Sequence, residues 1–178
     1  MEQKEISRQE ISRVLISVSD KSGIEVLSKD LSKKGIEIIS TGGTSRVISE
    51  AGVIVRPVEE VTNFPEMMGG RVKTLHPLIF GAILGRESDQ EQMLEHNIDR
   101  IDMVICNLYP FKDAADKGVD LTSLIEEIDI GGPSLLRAAS KNHSRVSVVT
   151  DPADYSWIID EISKGGLTLE QRQQLALK

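Results

Sequence analysis

The sequence predicts an α/β fold, a three-layer, mainly parallel sheet with helices on both faces. Two observations lead there. Short apolar runs of the kind that fill doubly covered strands recur at 13–19, 37–40, 53–57, 101–108 and 146–149, and most stretches between them carry helical rather than alternating periodicity. Strands separated by helices are joined by crossovers, which set them parallel. The chain of 178 residues is long enough to close one such domain around a real core.

The first strand, Arg13 to Ser19, follows a polar lead of residues 1–12. Then the period changes. Ile24, Leu27 and Leu31 recur at helical spacing, Asp20 or Ser22 can cap the start, basic residues close the last turn, and Gly35 suits the position just past the end. Glu37 to Ser40 reads as the second strand, Thr41 to Thr44 as a tight glycine loop, Ser45 to Ala51 as a helix stopped by Gly52, and Val53 to Pro57 as the third strand. From Val58 to Gly85 there is no clean period. Irregular chain of that length in a compact domain is usually functional or disordered, and its apolar content disfavours disorder. Glu87 to Asn97 reads as a polar surface helix, Ile101 to Leu108 as a buried strand ending at Tyr109-Pro-Phe, and Leu121 to Ile128 as a short helix. Asp129 to Pro133 is a turn into a helix over Ser134 to Ser140, Val146 to Val149 a strand, and Ala153 to Ser163 a helix capped by Asp151 and Pro152. The domain is therefore expected over 13–165, with 166–178 beginning an amphipathic helix that stops without a cap, a helix cut short with more chain natural to it.

With 21 Lys+Arg against 28 Asp+Glu and a net charge of -7, the chain lacks the cationic surplus that phosphate backbones demand, so nucleic acid is excluded as a general partner. A small anion is not. Cys106 alone cannot form an intrachain disulfide, and the polar start MEQKEISRQEISR has no apolar core of a signal peptide, which together point to a reducing cytoplasm. The longest uncharged apolar stretch, Leu78 to Leu84, falls far short of the roughly 20 residues of a membrane span.

In a doubly wound sheet, ligands bind beyond the carboxyl ends of the strands. The ends at Ser17 to Lys21, Ser40 to Thr44 and Asn107 to Tyr109 should line one crevice. Ser40-Thr-Gly-Gly-Thr44 has the chemistry of a phosphate cradle, because glycines let backbone N–H groups approach an anion where a helix begins. It is equally a tight turn with Thr44 as cap. Lys21 can add a point charge or stand solvated at the start of its helix. Gly70-Arg-Val-Lys-Thr-Leu-His-Pro77 presents Arg71 and Lys73 beside the Thr74 hydroxyl, a planar fork and a point charge, or else a solvated basic loop. His76 has no Cys or second His at ligand spacing and reads as structural. Asp129, on a glycine turn, and Lys141, at the end of the following helix, can tune each other as base and acid, or serve as an N-cap and a helix-end lysine. Asn107 can meet a base edge and Tyr109 donate a proton. Cys106 reads as core.

Taken in order, ISVSDKSG, STGGT, GGRVKTLHP, CNLYPF, IDIGGPSLLRAASKNH and VVTDPADY resemble the IMP cyclohydrolase domain of the bifunctional purine-biosynthesis enzymes that also carry AICAR formyltransferase activity. The likeness runs from about Arg13 to Tyr155. It implies a methylglyoxal-synthase-like domain that converts formyl-AICAR to inosine monophosphate (IMP) and water, without metal or coenzyme. By position it implies Lys73, Tyr109, Asp129 and Lys141 as the catalytic set. Ser17, Ser19, Lys21, Ser40, Thr41, Gly42, Gly43, Thr44, Arg71, Thr74, Asn107, Ile130 and Gly131 resemble the nucleotide-contacting positions. It further implies a homodimer, natively fused to a C-terminal formyltransferase domain that this chain lacks, so that formyltransferase activity is expected to be absent. Two rivals share the fold: a methylglyoxal synthase, which leaves RVKTLHP and IDIGGPSLLRAASKNH idle, and a nucleotide-sensing domain that binds without turnover.

Overall fold

The structure, a computed structural model, describes residues 7–109, 111–116, 118 and 120–178. The first six residues of the polar lead and Pro110 lie outside that set. Five strands form one all-parallel sheet: β2 (Arg13–Val18), β3 (Glu37–Ser40), β4 (Arg56–Pro57), β5 (Met103–Asn107) and β6 (Ser147–Val149), in the order β4-β3-β2-β5-β6. The register runs Val14 beside Met103 to Val18 beside Asn107 on one side of β2, and Arg13 beside Glu37 to Ile16 beside Ser40 on the other. Val14, Leu15 and Ile16 alternate between the two faces and are all fully buried, so both faces are covered. On one group of helices α1 (Ile24–Lys33) packs with α2 (Gly42–Glu50) and α9 (Tyr155–Ser163); in the other, α8 (Gly131–Lys141) packs with α4 (Pro77–Leu84) and α10 (Leu169–Leu177). The parallel three-layer expectation holds.

The chain winds outward from β2 through β3 to β4, then returns across the sheet to β5 and β6. Strand order therefore reverses between β2 and β5. Their carboxyl ends diverge there, opening a crevice in the place such sheets reserve for ligands.

The unpatterned stretch 58–85 contains two helices, α3 (Val58–Thr62) and α4. Helix α4, PLIFGAIL, is apolar on every side, so no stripe marks it in the sequence. His76 acts as its cap, its Nδ1 accepting from the Leu78 N–H at 3.2 Å, while Pro77 takes the first helical position. Helix α8 starts at Gly131 rather than Ser134, because a proline in the first turn has no partner to lose there. Likewise α2 starts at Gly42, making Thr41 the capping position instead of Thr44. Gly23, at φ +72°, occupies the cap of α1, whereas Asp20 accepts from the Ser22 N–H in a local turn. Between the two helical regions on the return path lie α5 (Gln90–Glu95), α6 (Phe111–Asp116) and α7 (Leu121–Glu126).

The ends join the body. β1 (Arg8–Gln9) pairs antiparallel with β7 (Leu167–Thr168), and α10 buries Leu175 and Arg172. Thr168 and Gln171 form a capping box at its start. Arg172 donates to the carbonyls of His143, Ser144 and Leu167.

Candidate active site

At the carboxyl ends of β2 and β5 lies a crevice of ≈ 740 Å³, within the range typical of small-molecule sites. The loops after β2 and β3, the loop carrying Arg71 and Lys73, the end of β5, and the chain from Ile125 to Gly132 all line it. Of the seventeen positions assigned by resemblance, the structure brings every one to this crevice except Ser40 and Lys141.

Two helices begin at the crevice. At α2, Thr41 makes no side-chain cap, and the N–H groups of the first turn have no partner within the helix, so Gly42, Gly43 and Thr44 present open backbone donors with the positive end of the helix dipole. Lys73 and Lys21 flank that end: a Cβ on Gly42 would lie 3.2 Å from Lys73 Nζ, and one on Gly43 would lie 3.7 Å from Lys21 Cε. The second helix start is that of α8. There Asp129 Oδ1 accepts from the Gly132 N–H at 2.9 Å, and Thr74 Oγ1 lies 3.1 Å from the place a Cβ would take on Gly131. An anion cradle and a carboxylate thus face the same space from two helix ends.

Several assigned side chains are busy elsewhere. Ser40 is fully buried and its hydroxyl donates to the Ile16 carbonyl at 2.7 Å, tying β3 to β2 instead of meeting a ligand. Thr44 donates to the Val18 carbonyl at 3.0 Å and accepts from the Val18 N–H at 3.2 Å, so its side chain locks α2 onto β2. The Asn107 amide oxygen accepts from the Ser19 and Asp20 N–H groups, both at 2.8 Å, and its nitrogen donates to the Asp20 carbonyl at 3.0 Å. Asn107 thus shapes the Ser19–Lys21 loop, and among the described residues its amide keeps one N–H free at the crevice.

The pairing of Asp129 with Lys141 fails within the chain. They stand at opposite ends of α8, separated by ten helical steps of 1.5 Å, or ~15 Å. Lys141 is exposed and does not line the crevice. The motif around it has a structural use instead. Asn142 donates to the carbonyls of Ile83 and Gly85, and the buried Arg145 donates to those of Ala82, Ile83, Gly85 and Ile101 while facing Asp102 at 3.6 Å. Together with the Ile101 N–H, which donates to the Ala82 carbonyl, they satisfy the carboxyl end of α4.

Tyr109 is half-exposed at the crevice mouth. Cys106 is core, as expected; burial, reinforced by the charge of Asp129, pushes its thiol up to about 12, which keeps it protonated and inert. Two acidic residues went unforeseen. Glu126 forms a two-point ion pair with Arg71, raising the guanidinium above its ordinary value, and Glu66 pairs with Lys73 at 3.2 Å. The signal for Glu66 was in the sequence: opposite charges placed symmetrically about a Gly-Gly turn read as a hairpin pair.

Comparison with known proteins places this geometry. The profile of the MGS-like domain matches residues 23–134, and that of the AICARFT/IMPCHase bienzyme matches residues 139–178. The chain is 54% identical over 170 residues to the bifunctional purine biosynthesis protein PurH of Lactococcus lactis subsp. lactis (strain IL1403), covering 93% of this chain and 33% of that protein. It is 50% identical over 169 residues to PurH of Aquifex aeolicus (strain VF5), with the same coverage. The chain thus spans about a third of the length of the curated relatives it matches. Among solved structures, the crystal structure of ForH superposes with a TM-score of 0.82 at 36% identity, covering 93% of this chain and 87% of that one.

Proposed function

Because the chain belongs to the MGS-like domain family and matches PurH proteins along 93% of its own length, we propose that it closes the second ring of the purine base, converting formyl-AICAR to IMP and water. The observation that carries this is the meeting of the α2 anion cradle and the Asp129 carboxylate across one crevice. The ring closure joins two groups of one molecule, so the protein gains most by fixing both ends of it in a near-attack arrangement. The nucleotide phosphate rests on Gly42, Gly43 and Thr44 with Lys21. The carboxamide lies toward Thr74, Ile130, Gly131 and Asp129.

Three steps then need a group. The carboxamide nitrogen attacks the formyl carbon and gives up a proton, for which Asp129 is the acceptor. Charge grows on the formyl oxygen, which Lys73 stabilises. Tyr109 and Lys73 return two protons to the formyl oxygen, one to make the carbinolamine hydroxyl and one to release it as water, while the former formamide nitrogen gives up its own proton and the ring C=N bond forms. Asp129 does this without Lys141, and Arg71 is available to the substrate once Glu126 releases it. No metal or coenzyme enters the scheme. The chain acts as a homodimer in the cytoplasm, joined in its natural protein to a formyltransferase part of the kind named by the AICARFT/IMPCHase bienzyme family that its residues 139–178 match.

The experiment supplies formyl-AICAR to the purified chain and follows IMP by its ultraviolet spectrum, with and without a chelator. Chelator-resistant IMP formation supports the proposal. Tight IMP binding without turnover would make the crevice a sensor, and methylglyoxal from dihydroxyacetone phosphate would make it a synthase of the other kind.

A further inference from the structure

The loop that presents Lys73 is a hairpin, and it holds a residue that the scheme above leaves idle. Met67 and Val72 form an antiparallel bridge, with the Met67 N–H donating to the Val72 carbonyl at 3.2 Å. Glu66 and Lys73 flank that bridge and face each other as the next cross-strand pair. Met68, Gly69 and Gly70 turn the chain between them with φ of +55°, +66° and +94°. Gly70 has no room for a side chain, since a Cβ there would lie 2.9 Å from Glu66 Oε1 and 2.9 Å from Lys73 Cε. The two charged side chains cross over the one residue that lets them, and Lys73 Nζ meets Glu66 Oε2 at 3.2 Å.

The place where they meet gives the pair its use. Lys73 Nζ rests against Gly42, the first residue of α2, beside Lys21 and at the positive end of a helix. Two ammonium groups and a helix N-terminus repel one another, so an unpaired Lys73 would swing out to solvent. Glu66 supplies the missing anion, and it does so from behind: Lys73 lines the crevice and Glu66 does not. A carboxylate in that position holds the lysine without contesting the space of a bound phosphate.

We infer that Glu66 is a positioning residue whose carboxylate pins the Lys73 ammonium against the lip of α2, aimed into the crevice, before substrate arrives. This rests on the role proposed for Lys73 and names the group through which that role is set. Glu66→Gln keeps the shape and removes the charge. It lowers kcat on formyl-AICAR about tenfold, because the ammonium is no longer held in its productive place, with KM within about twofold and the melting temperature within about 3 °C of the parent. Glu66→Asp, which keeps the charge on a shorter arm, recovers part of the loss. In a Lys73→Ala background Glu66→Gln costs nothing further, since its effect runs through the lysine. An unchanged kcat, or an equal fall in both backgrounds, overturns the inference. A second measurement needs no turnover: acylation of Lys73 in the ligand-free chain, read by peptide mass spectrometry, rises at least about threefold in Glu66→Gln as the pinned ammonium is freed. If the parent makes no IMP, the cyclohydrolase reading falls while this ratio still decides the pairing, and a ratio near one overturns it.

Discussion

Replacing Gly132 by alanine tests whether Asp129 is where the chemistry needs it. Gly132 is buried in the first turn of α8, and a Cβ on it would fall on Asp129 Oδ2 and 2.6 Å from Leu108 Cδ2. Two stability effects oppose each other. Alanine gains up to about 1 kcal/mol in helix propensity, and Leu108 is exposed enough to swing aside. Against that, the turn loses the 2.9 Å bond from the Gly132 N–H to Asp129 Oδ1, a cap contribution of about 1 kcal/mol. The sum is close to zero, so the melting temperature should move by no more than about 4 °C. Activity has no such compensation. The carboxylate is displaced by on the order of 1 Å, and misplacement of that size costs about 10²-fold in turnover. Asp129→Asn is the companion: it keeps an oxygen for the Gly132 N–H, preserves the turn, and removes the proton acceptor, for a loss of about 10² to 10⁴-fold. Steady-state IMP formation beside a thermal melt reads both. A folded Gly132→Ala chain with kcat within about threefold of the parent would refute the assignment of Asp129, since a 1 Å shift of a working base cannot be that cheap.

Ser40→Ala should lower stability by about 1 kcal/mol through the lost bond to Ile16 and leave kcat and KM unchanged; a raised KM would return Ser40 to the ligand. Lys73→Ala should lower kcat at least about tenfold while nucleotide binding persists, whereas Lys141→Ala, at the far end of α8, should stay within about twofold of the parent. A large loss from Lys141→Ala would mean that the lysine reaches a crevice by a route not contained in one chain. Acid should unclasp the chain ends first. Glu161 accepts from Lys164, Arg8 and Gln171, and these bonds hold its carboxyl down to about 2 from an ordinary 4.5. A depressed carboxyl stabilises the fold above its unfolded value, and that stability is lost as pH falls through the folded one, here between about 4.5 and about 2. Glu161→Gln should therefore flatten the loss of stability across that window in denaturant titrations; an unchanged slope would contradict the assignment.

What the sequence made legible follows from the length scale of each signal. The sheet was readable because a strand buried on both faces needs an unbroken apolar run, and Arg13 to Ser19 and Ile101 to Leu108 supply it. Helix α1 was readable because Ile24, Leu27 and Leu31 face one layer. Helix α4 was not, since a segment apolar on every side carries no period and the cap that starts it is a histidine, an unusual choice. The pairing of β1 with β7 was also hidden, because two-residue strands more than 150 positions apart leave no local trace.

The site divides along the same line. A motif names residues that must be kept together, and it does not say why. Ser40, Thr44 and Asn107 lock the β2, β3 and β5 ends into a crevice, and Asn142 caps α4; most of their polar bonds are made in doing so. What faces a ligand includes backbone at Gly42, Gly43 and Gly131, the hydroxyls of Thr74 and Tyr109, and a few charged tips. That explains how a chain of net charge -7 can hold an anion. The attraction is local, made by a helix N-terminus and by Lys21 and Lys73, and the acidic surface beyond a Debye length of about 8 Å is screened from it. Glu66 sharpens the point: a negative charge paired with a cradle lysine does not repel the ligand from inside the crevice but stands outside and keeps a cation in place.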